Sequence, residues 1–208
     1  MSDTGQSAAC ASQDDRNLTS IADVIEDPAR SAHLRQLTEA GLIRVRVQGR
    51  HRYHEIVNPE VDTVLEAIAQ IAPPAPVRSV RQEQAACALS DARTCYDHLA
   101  GRRGVELRDR LLSVGALRRL DDRDHELTDR GQDLVERLGI DLAVLQASRR
   151  VFARSCVDWT DRRVHLAGAL PATITSAFLA RGWLTRGPGR TLRVAPGFDG
   201  NVEKWLAT

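Results

Sequence analysis

Aromatic side chains make up only 4% of the 208 residues. Ala, Leu, Arg and Val dominate instead, which favours helices packed through aliphatic side chains. No apolar run approaches the roughly 18 residues that a membrane-crossing helix needs, and the first residues lack the apolar stretch of a secretion signal. A cytoplasmic chain with no membrane partner is therefore expected. Neither sign of charge prevails: 29 basic and 28 acidic side chains leave a formal net charge of +1. Total charge thus gives no argument for nucleic acid, and only local clustering can. Cysteine is sparse, with Cys10, Cys87, Cys95 and Cys156 in no CxxC spacing, which suits free thiols in a reducing compartment. Common catalytic signatures are missing as well: there is no Walker loop, GxSxG, HExxH or Rossmann glycine fingerprint. Pairings of His98 or His165 with nearby aspartates arise by chance in so charged a chain, and a non-enzyme is expected.

What is present begins after residues 1–17, a small, polar, aperiodic stretch expected to be a disordered tail. Leu18 to Glu26 carries enough apolar side chains for a short amphipathic helix, broken at Asp27-Pro28. Asp27 is a good N-cap and Pro28 suits a first helical position. Leu34 and Leu37 give the next helix an apolar stripe, and Gly41 stands where a glycine ends it. Leu42, Ile43, Val45 and Val47 then alternate with Arg44 and Arg46, the period of a half-buried strand. Gln48-Gly49-Arg50 makes a turn, and His51 to Val57 returns. A helix followed by a basic hairpin has the shape of the recognition helix and wing of a winged-helix DNA reader.

Arg44, Arg46, Arg50 and Arg52, with His51 and His54, place six potential cations within eleven residues, and Arg30 and Arg35 lie on the preceding helix. Ser31, His33, Arg35 and Gln36 are expected to approach the major groove, and the wing arginines and His51 to hold the backbone or minor groove. The competing reading is a solvated, charged hairpin edge that discourages sheet-to-sheet pairing. Pro59 starts another helix, with Val61, Val64, Leu65, Ile68 and Ile71 at helical spacing; it either pairs with its twin in a homodimer or closes the small core. Three prolines in Ala72–Val77 mark a semi-rigid spacer. The expected organisation is a tail over 1–17, a DNA-binding domain over 18–71, a linker over 72–77 and a dimerisation or effector domain over 78–208.

Beyond the spacer, Arg78 to about Gly101 reads as one alanine-rich helix, with Ala88, Ala92, Cys95 and Leu99 on one face and His98 beside them. The chain then repeats itself: His98-Leu99-Ala100-Gly101 recurs as His165-Leu166-Ala167-Gly168, and at the same offset Leu112, Gly115, Leu117 and Arg119 match Leu179, Gly182, Leu184 and Arg186. Each copy is expected to be a helix ended by glycine, a strand, a turn and a second strand. Pro188-Gly189 suits a type II turn, and Thr128 and Asp141 are candidate helix caps. With the Leu34–Val57 segment this makes three wing-like units in a chain that is mainly α with small β-hairpins (α+β). Cys95 and His98, three apart on a helix, would face the same way. With Cys156 and His165, and Asp158 nearby, they could complete a tetrahedral site for zinc or another thiophilic ion. The alternative is a pair of small buried thiols and a histidine bonded to the turn that follows it.

Residues 21–30, IADVIEDPAR, resemble the first helix of the ArsR-type winged-helix repressor family. SAHLRQLTEAGLIRVRVQGRHRYHEI at 31–56 resembles its recognition helix and wing. ARTCYDHLAG, LTDRG, RLGID and FARSCVDW followed by HLAGAL resemble the C-terminal extension of a longer branch. The resemblance implies a DNA-binding, dimeric transcriptional repressor that answers to a small-molecule or metal effector. Two helices that the family places between the DPAR helix and the recognition helix have no counterpart here, so the domain over 18–71 is a shortened one. A regulator-derived sensor or interaction module that no longer binds DNA on its own is the alternative. The cysteine motif of the family's arsenic and cadmium sensors would fall on a missing helix, and its histidine-bearing zinc site on 60–71, which contains no histidine.

Overall fold

The computed structural model describes residues 28–48, 51–57, 59–71 and 79–207; of residues 28–30, 48, 51, 53, 59, 62, 63, 66, 69 and 70 only the backbone is described. The expected tail, the helix at 18–26 and the spacer at 72–77 lie outside these residues. The chain divides into two compact units between Leu65 and Glu66.

In the first unit, α1 (Pro28–Glu39) leads into the antiparallel pair β1 (Ile43–Gln48) and β2 (His51–Ile56). Proline tolerates the first helical turn because no helical donor is lost there. Gly41, at φ +70°, ends α1: its amide bonds to Thr38 O and that of Leu42 to Leu37 O, the paired bonds of a Schellman stop. Helix α2 (Pro59–Ile71) follows and runs across the division between the units.

The second unit opens with α3 (Val80–Asp91), capped by Ser79. Here the structure corrects the expected helix over Arg78–Gly101. The helix stops at Asp91, Ala92 is extended, and the chain makes a tight hairpin, β3 (Arg93–Cys95) and β4 (His98–Ala100), closed by Tyr96-Asp97. Then come α4 (Arg102–Ser113), the hairpin β5 (Leu117–Arg119) and β6 (His125–Leu127), α5 (Asp129–Arg137) and α6 (Leu142–Gln146). Thr128 caps α5 and Asp141 caps α6, as the sequence suggests. The second copy runs through the hairpin β7 (Arg154–Val157) and β8 (Val164–Ala167), α7 (Ala169–Ala180), the hairpin β9 (Leu184–Arg186) and β10 (Leu192–Val194), and α8 (Phe198–Ala207). The HLAG motif therefore closes a strand and opens a helix; it does not end one. The helix-glycine-hairpin shape itself holds in all three places, since Gly115 and Gly182 stop α4 and α7 with the same bond pair as Gly41.

The two copies interlock. Each first hairpin hydrogen-bonds the other copy's second: Thr94 N to Arg190 O and Leu192 N to Ala92 O on one side, His125 N to Ala153 O and Ser155 N to Arg123 O on the other. Helix α7 packs on β4 and α4 on β8. The core between them is aliphatic with one aromatic knot, in which Phe178, fully buried, meets Trp183, Phe198 and Trp205. Packing is tight where α5 starts: a Cβ on Gly131 would sit inside the Ala116 carbonyl oxygen and the Leu127 side chain. Gly131→Ala is expected to lower stability by about 1–3 kcal/mol through overpacking, read as a lower urea midpoint with unchanged m-value. Among the described residues no helix is long and apolar enough to cross a membrane.

Candidate nucleic-acid interface and a buried Cys–His cluster

The side chains of Ser31, His33, Arg35 and Gln36 all stand exposed on α1. Arg35 Nε lies 3.9 Å from Glu39 Oε1, but with 74% and 69% of those side chains in solvent the pair is worth little. On the hairpin, the register sets Arg44 opposite Glu55 and Arg46 opposite Tyr53, with Val45 opposite His54 and Val47 opposite Arg52. Strand alternation then puts Arg44, Arg46 and Glu55 on one face and the valines with Arg52 and His54 on the other. Arg44 Nε donates to Glu55 Oε2 at 3.1 Å and Arg46 Nε to Oε1. These bonds, that from Arg46 foremost, hold the Glu55 carboxyl below its usual range. Two of the expected phosphate-binding cations are thus tied to one carboxylate. Arg52 is exposed and forms no ion pair among the described residues. Arg50 lies outside the described residues, as do the side chains of Arg30 and His51.

None of the described side chains from 31 to 57 is buried. Val47 is 65% exposed and Leu37, Leu42 and Val45 about 40%. Among the described residues, nothing therefore covers the apolar sides of α1 and the hairpin completely.

In the second unit the structure brings together all four of the expected metal-ligating residues, by a different route from the one expected. Cys95 and His98 are not on a helix; they are cross-strand partners in β3–β4, and Cys156 and His165 are partners in β7–β8. Directly opposed residues of an antiparallel pair project to the same face, and β4 lies beside β8. Two sulfurs and two imidazoles therefore converge, with their donor atoms all within 4.8 Å of one another. His98 Nε2 is 3.2 Å from His165 Nε2. Cys95, His98 and His165 are buried, at 1%, 4% and 0% exposure.

Each histidine is backed by a carboxylate. Asp97 Oδ1 stands 3.5 Å from His98 Nδ1, and Asp158 Oδ2 stands 3.6 Å from His165 Nδ1. Both acids are held in turn. Arg150 grips Asp97 with two bonds of 2.6 and 3.2 Å. Asp158 receives the amides of Gly101, Thr160 and Asp161, and lies 3.0 Å from Nη2 of the fully buried Arg93. Burial pushes the Asp158 carboxyl up, but the Thr160 hydroxyl, Arg93 and the amides outweigh it and hold it at about 2. Burial lowers the His98 imidazole, yet hydrogen bonds to Asp97 and Cys156 raise it above its ordinary value. The Cys156 thiol is drawn well below its ordinary value, by its hydrogen bond with Cys95 first and against burial, with both imidazoles adding.

Sequence reasoning does not reach Asp97, Arg93 or Arg150. A signal for the first two lies in plain view: Ala92-Arg93-Thr94-Cys95-Tyr96-Asp97 matches Ala153-Arg154-Ser155-Cys156-Val157-Asp158.

The chain matches no family model, and no solved structure matches it. It is similar to YdfF of Bacillus subtilis (strain 168), an uncharacterised HTH-type transcriptional regulator, at 38% identity over 183 residues, covering 88% of this chain and 80% of that protein. A likeness of that extent cannot come from the hairpins' composition alone, and with a helix and basic hairpin at one end of it the chain belongs to the HTH-type transcriptional regulators.

Proposed function

We propose that the chain is an ArsR-like repressor, cytoplasmic and homodimeric, that reads double-stranded DNA with α1 and grips it with the β1–β2 wing. The observation that carries this reading is the row of exposed polar side chains on α1, Ser31, His33, Arg35 and Gln36, set directly before a hairpin whose Arg44, Arg46 and Arg52 face solvent. The exposed apolar stripe of α2, Val64, Leu65, Ile68 and Ile71, supplies a surface for pairing with a second copy. The 78–208 domain takes the role of dimerisation support and effector input.

A fluorescence-anisotropy titration with DNA from upstream of the chain's own gene tests the reading. Specific binding weakens with salt by a log–log slope of roughly −0.9 per phosphate neutralised; equal affinity for unrelated DNA at every salt concentration rules it out. The wing makes a finer forecast. Arg52→Ala flattens the slope by about 0.9, the share of a single phosphate, while Glu55→Gln removes the carboxylate charge that Arg44 and Arg46 share and steepens it.

A second reading has its own support, the lack of any buried side chain among those described from 31 to 57. In that reading the protein is a regulator-derived sensor or interaction module. It predicts fast amide exchange across 28–57 and slow exchange across 98–198; equal protection of both stretches excludes it.

A further inference from the structure

The two halves of the second unit correspond more closely around the Cys–His cluster than anywhere else. Ala92-Arg93-Thr94-Cys95-Tyr96-Asp97 is matched 61 positions on by Ala153-Arg154-Ser155-Cys156-Val157-Asp158, and His98-Leu99-Ala100-Gly101 is matched 67 positions on by His165-Leu166-Ala167-Gly168. Six residues added between Asp158 and His165 account for the change of offset, and the second hairpin accommodates them in its loop. Despite that insertion, cysteine still faces histidine across the ladder in both hairpins. Each half thus supplies the same set: a thiol, an imidazole with Nε2 turned to the centre, and a carboxylate 3.5 or 3.6 Å from Nδ1 behind it.

That set is what a tetrahedral cation of borderline softness requires. Thiolate and neutral imidazole suit zinc above calcium or magnesium, and a carboxylate on the far ring nitrogen fixes the tautomer and orientation of a ligating histidine. Two nitrogens each 2.0–2.1 Å from a tetrahedral metal stand about 3.3 Å apart, close to the 3.2 Å between the two Nε2 atoms. A disulfide between Cys95 and Cys156 would use neither histidine nor either carboxylate, and neither cysteine forms a disulfide in the structure.

We propose that Cys95, His98, Cys156 and His165 bind one Zn²⁺ ion as a closed Cys₂His₂ site that fastens the two halves of the second unit together. Four protein ligands leave no position for water or an effector, so the role is structural. The assignment does not rest on the DNA-binding reading, as none of its residues belongs to the first unit.

The test uses the full chain with Cys10→Ser and Cys87→Ser, so that only the cluster's thiols are counted. Purified without chelator, it carries one zinc per chain by elemental analysis. With cobalt in place of zinc it shows thiolate-to-metal charge-transfer bands and intense visible bands of tetrahedral Co²⁺. Both thiols are protected from Ellman's reagent until a chelator is added. Cys156→Ser or His165→Ala loses the stoichiometric metal, whereas Asp97→Ala still binds it, with affinity lower by about 10–100-fold. A folded chain that takes up neither zinc nor cobalt, or whose two thiols react as fast before the chelator is added as after it, overturns the proposal. These last measurements need no ligand variant, so a misfolded variant cannot obscure the answer. Metal binding without DNA binding leaves this inference standing and removes only the repressor reading.

Discussion

Asp158→Ala is expected to lower the stability of the second unit by about 3–5 kcal/mol, the cost of leaving one partner of a buried ion pair alone. Asp158 and Arg93 are both fully enclosed, 3.0 Å apart. The carboxylate also binds the amides of Gly101, Thr160 and Asp161. Arg93 donates to the Thr160 hydroxyl and lies 4.9 Å from the centre of the Trp159 ring, neither of which can neutralise its charge. Alanine would therefore take the Asp158 carboxylate away from a buried guanidinium and open the 158–163 loop together. Asp158→Asn keeps an oxygen acceptor for the loop amides and is expected to recover part of the loss. All three tryptophans, Trp159, Trp183 and Trp205, belong to this unit, so their fluorescence during urea unfolding reports it alone. At the m-values of small domains the midpoint should fall by roughly 2 M urea. A shift of less than about a quarter of that would mean that the pair is not enclosed as described.

Phe178→Ala should cost a similar amount, about 3–5 kcal/mol, for a different reason. Its ring is fully buried, with centroids 5.1 Å from Trp183, 5.8 Å from Phe198 and 5.6 Å from Trp205, the last two edge-on. The truncation leaves a cavity bounded by three large rings, and Trp205 cannot swing into it without giving up the bond from its Nε1 to Leu134 O, 2.7 Å long. Phe178→Leu restores most of the apolar volume but not the ring-edge packing, and should recover roughly half of the loss. Calorimetry is the suitable measurement because the tryptophan signal is itself perturbed. An alanine variant within about 1 kcal/mol of wild type would contradict the packing described.

These expectations rest on features that sequence reasoning reaches unevenly. The helix-glycine-hairpin units are legible because each has a strong local cause, a stop at Gly41, Gly115 or Gly182 followed by alternating side chains. Thr128 and Asp141 announce their helices for the same reason: a cap is a one-residue signal with a short-range mechanism. The hairpin at 93–100 is not legible. The alanine-rich sequence before it favours helix, and its turn places Tyr96 at φ +55°, a conformation that no tyrosine advertises. What overrides helix propensity there is tertiary: the bonds from Thr94 to Arg190 and from Leu192 to Ala92, nearly a hundred residues apart. The four cluster residues can be named from the sequence, but the geometry that unites them cannot. Helical spacing explains one Cys–His pair and leaves the other loose, whereas cross-strand pairing explains both. In the first unit the cations are legible, but the sharing of Glu55 by Arg44 and Arg46 appears only once the strand register is known.

The interlocked hairpins carry a consequence for biosynthesis. Strand β3 finds the partner for its outer edge in residues 190–192, which are synthesised nearly a hundred residues after it. Until then the edge is open and the loop joining its halves is nearly the whole unit, a closure of high contact order that folds slowly. Nascent chains of this protein thus pass through a period in which an unpaired strand is available to any neighbour. A chain lacking β9, β10 and α8 would make that exposure permanent.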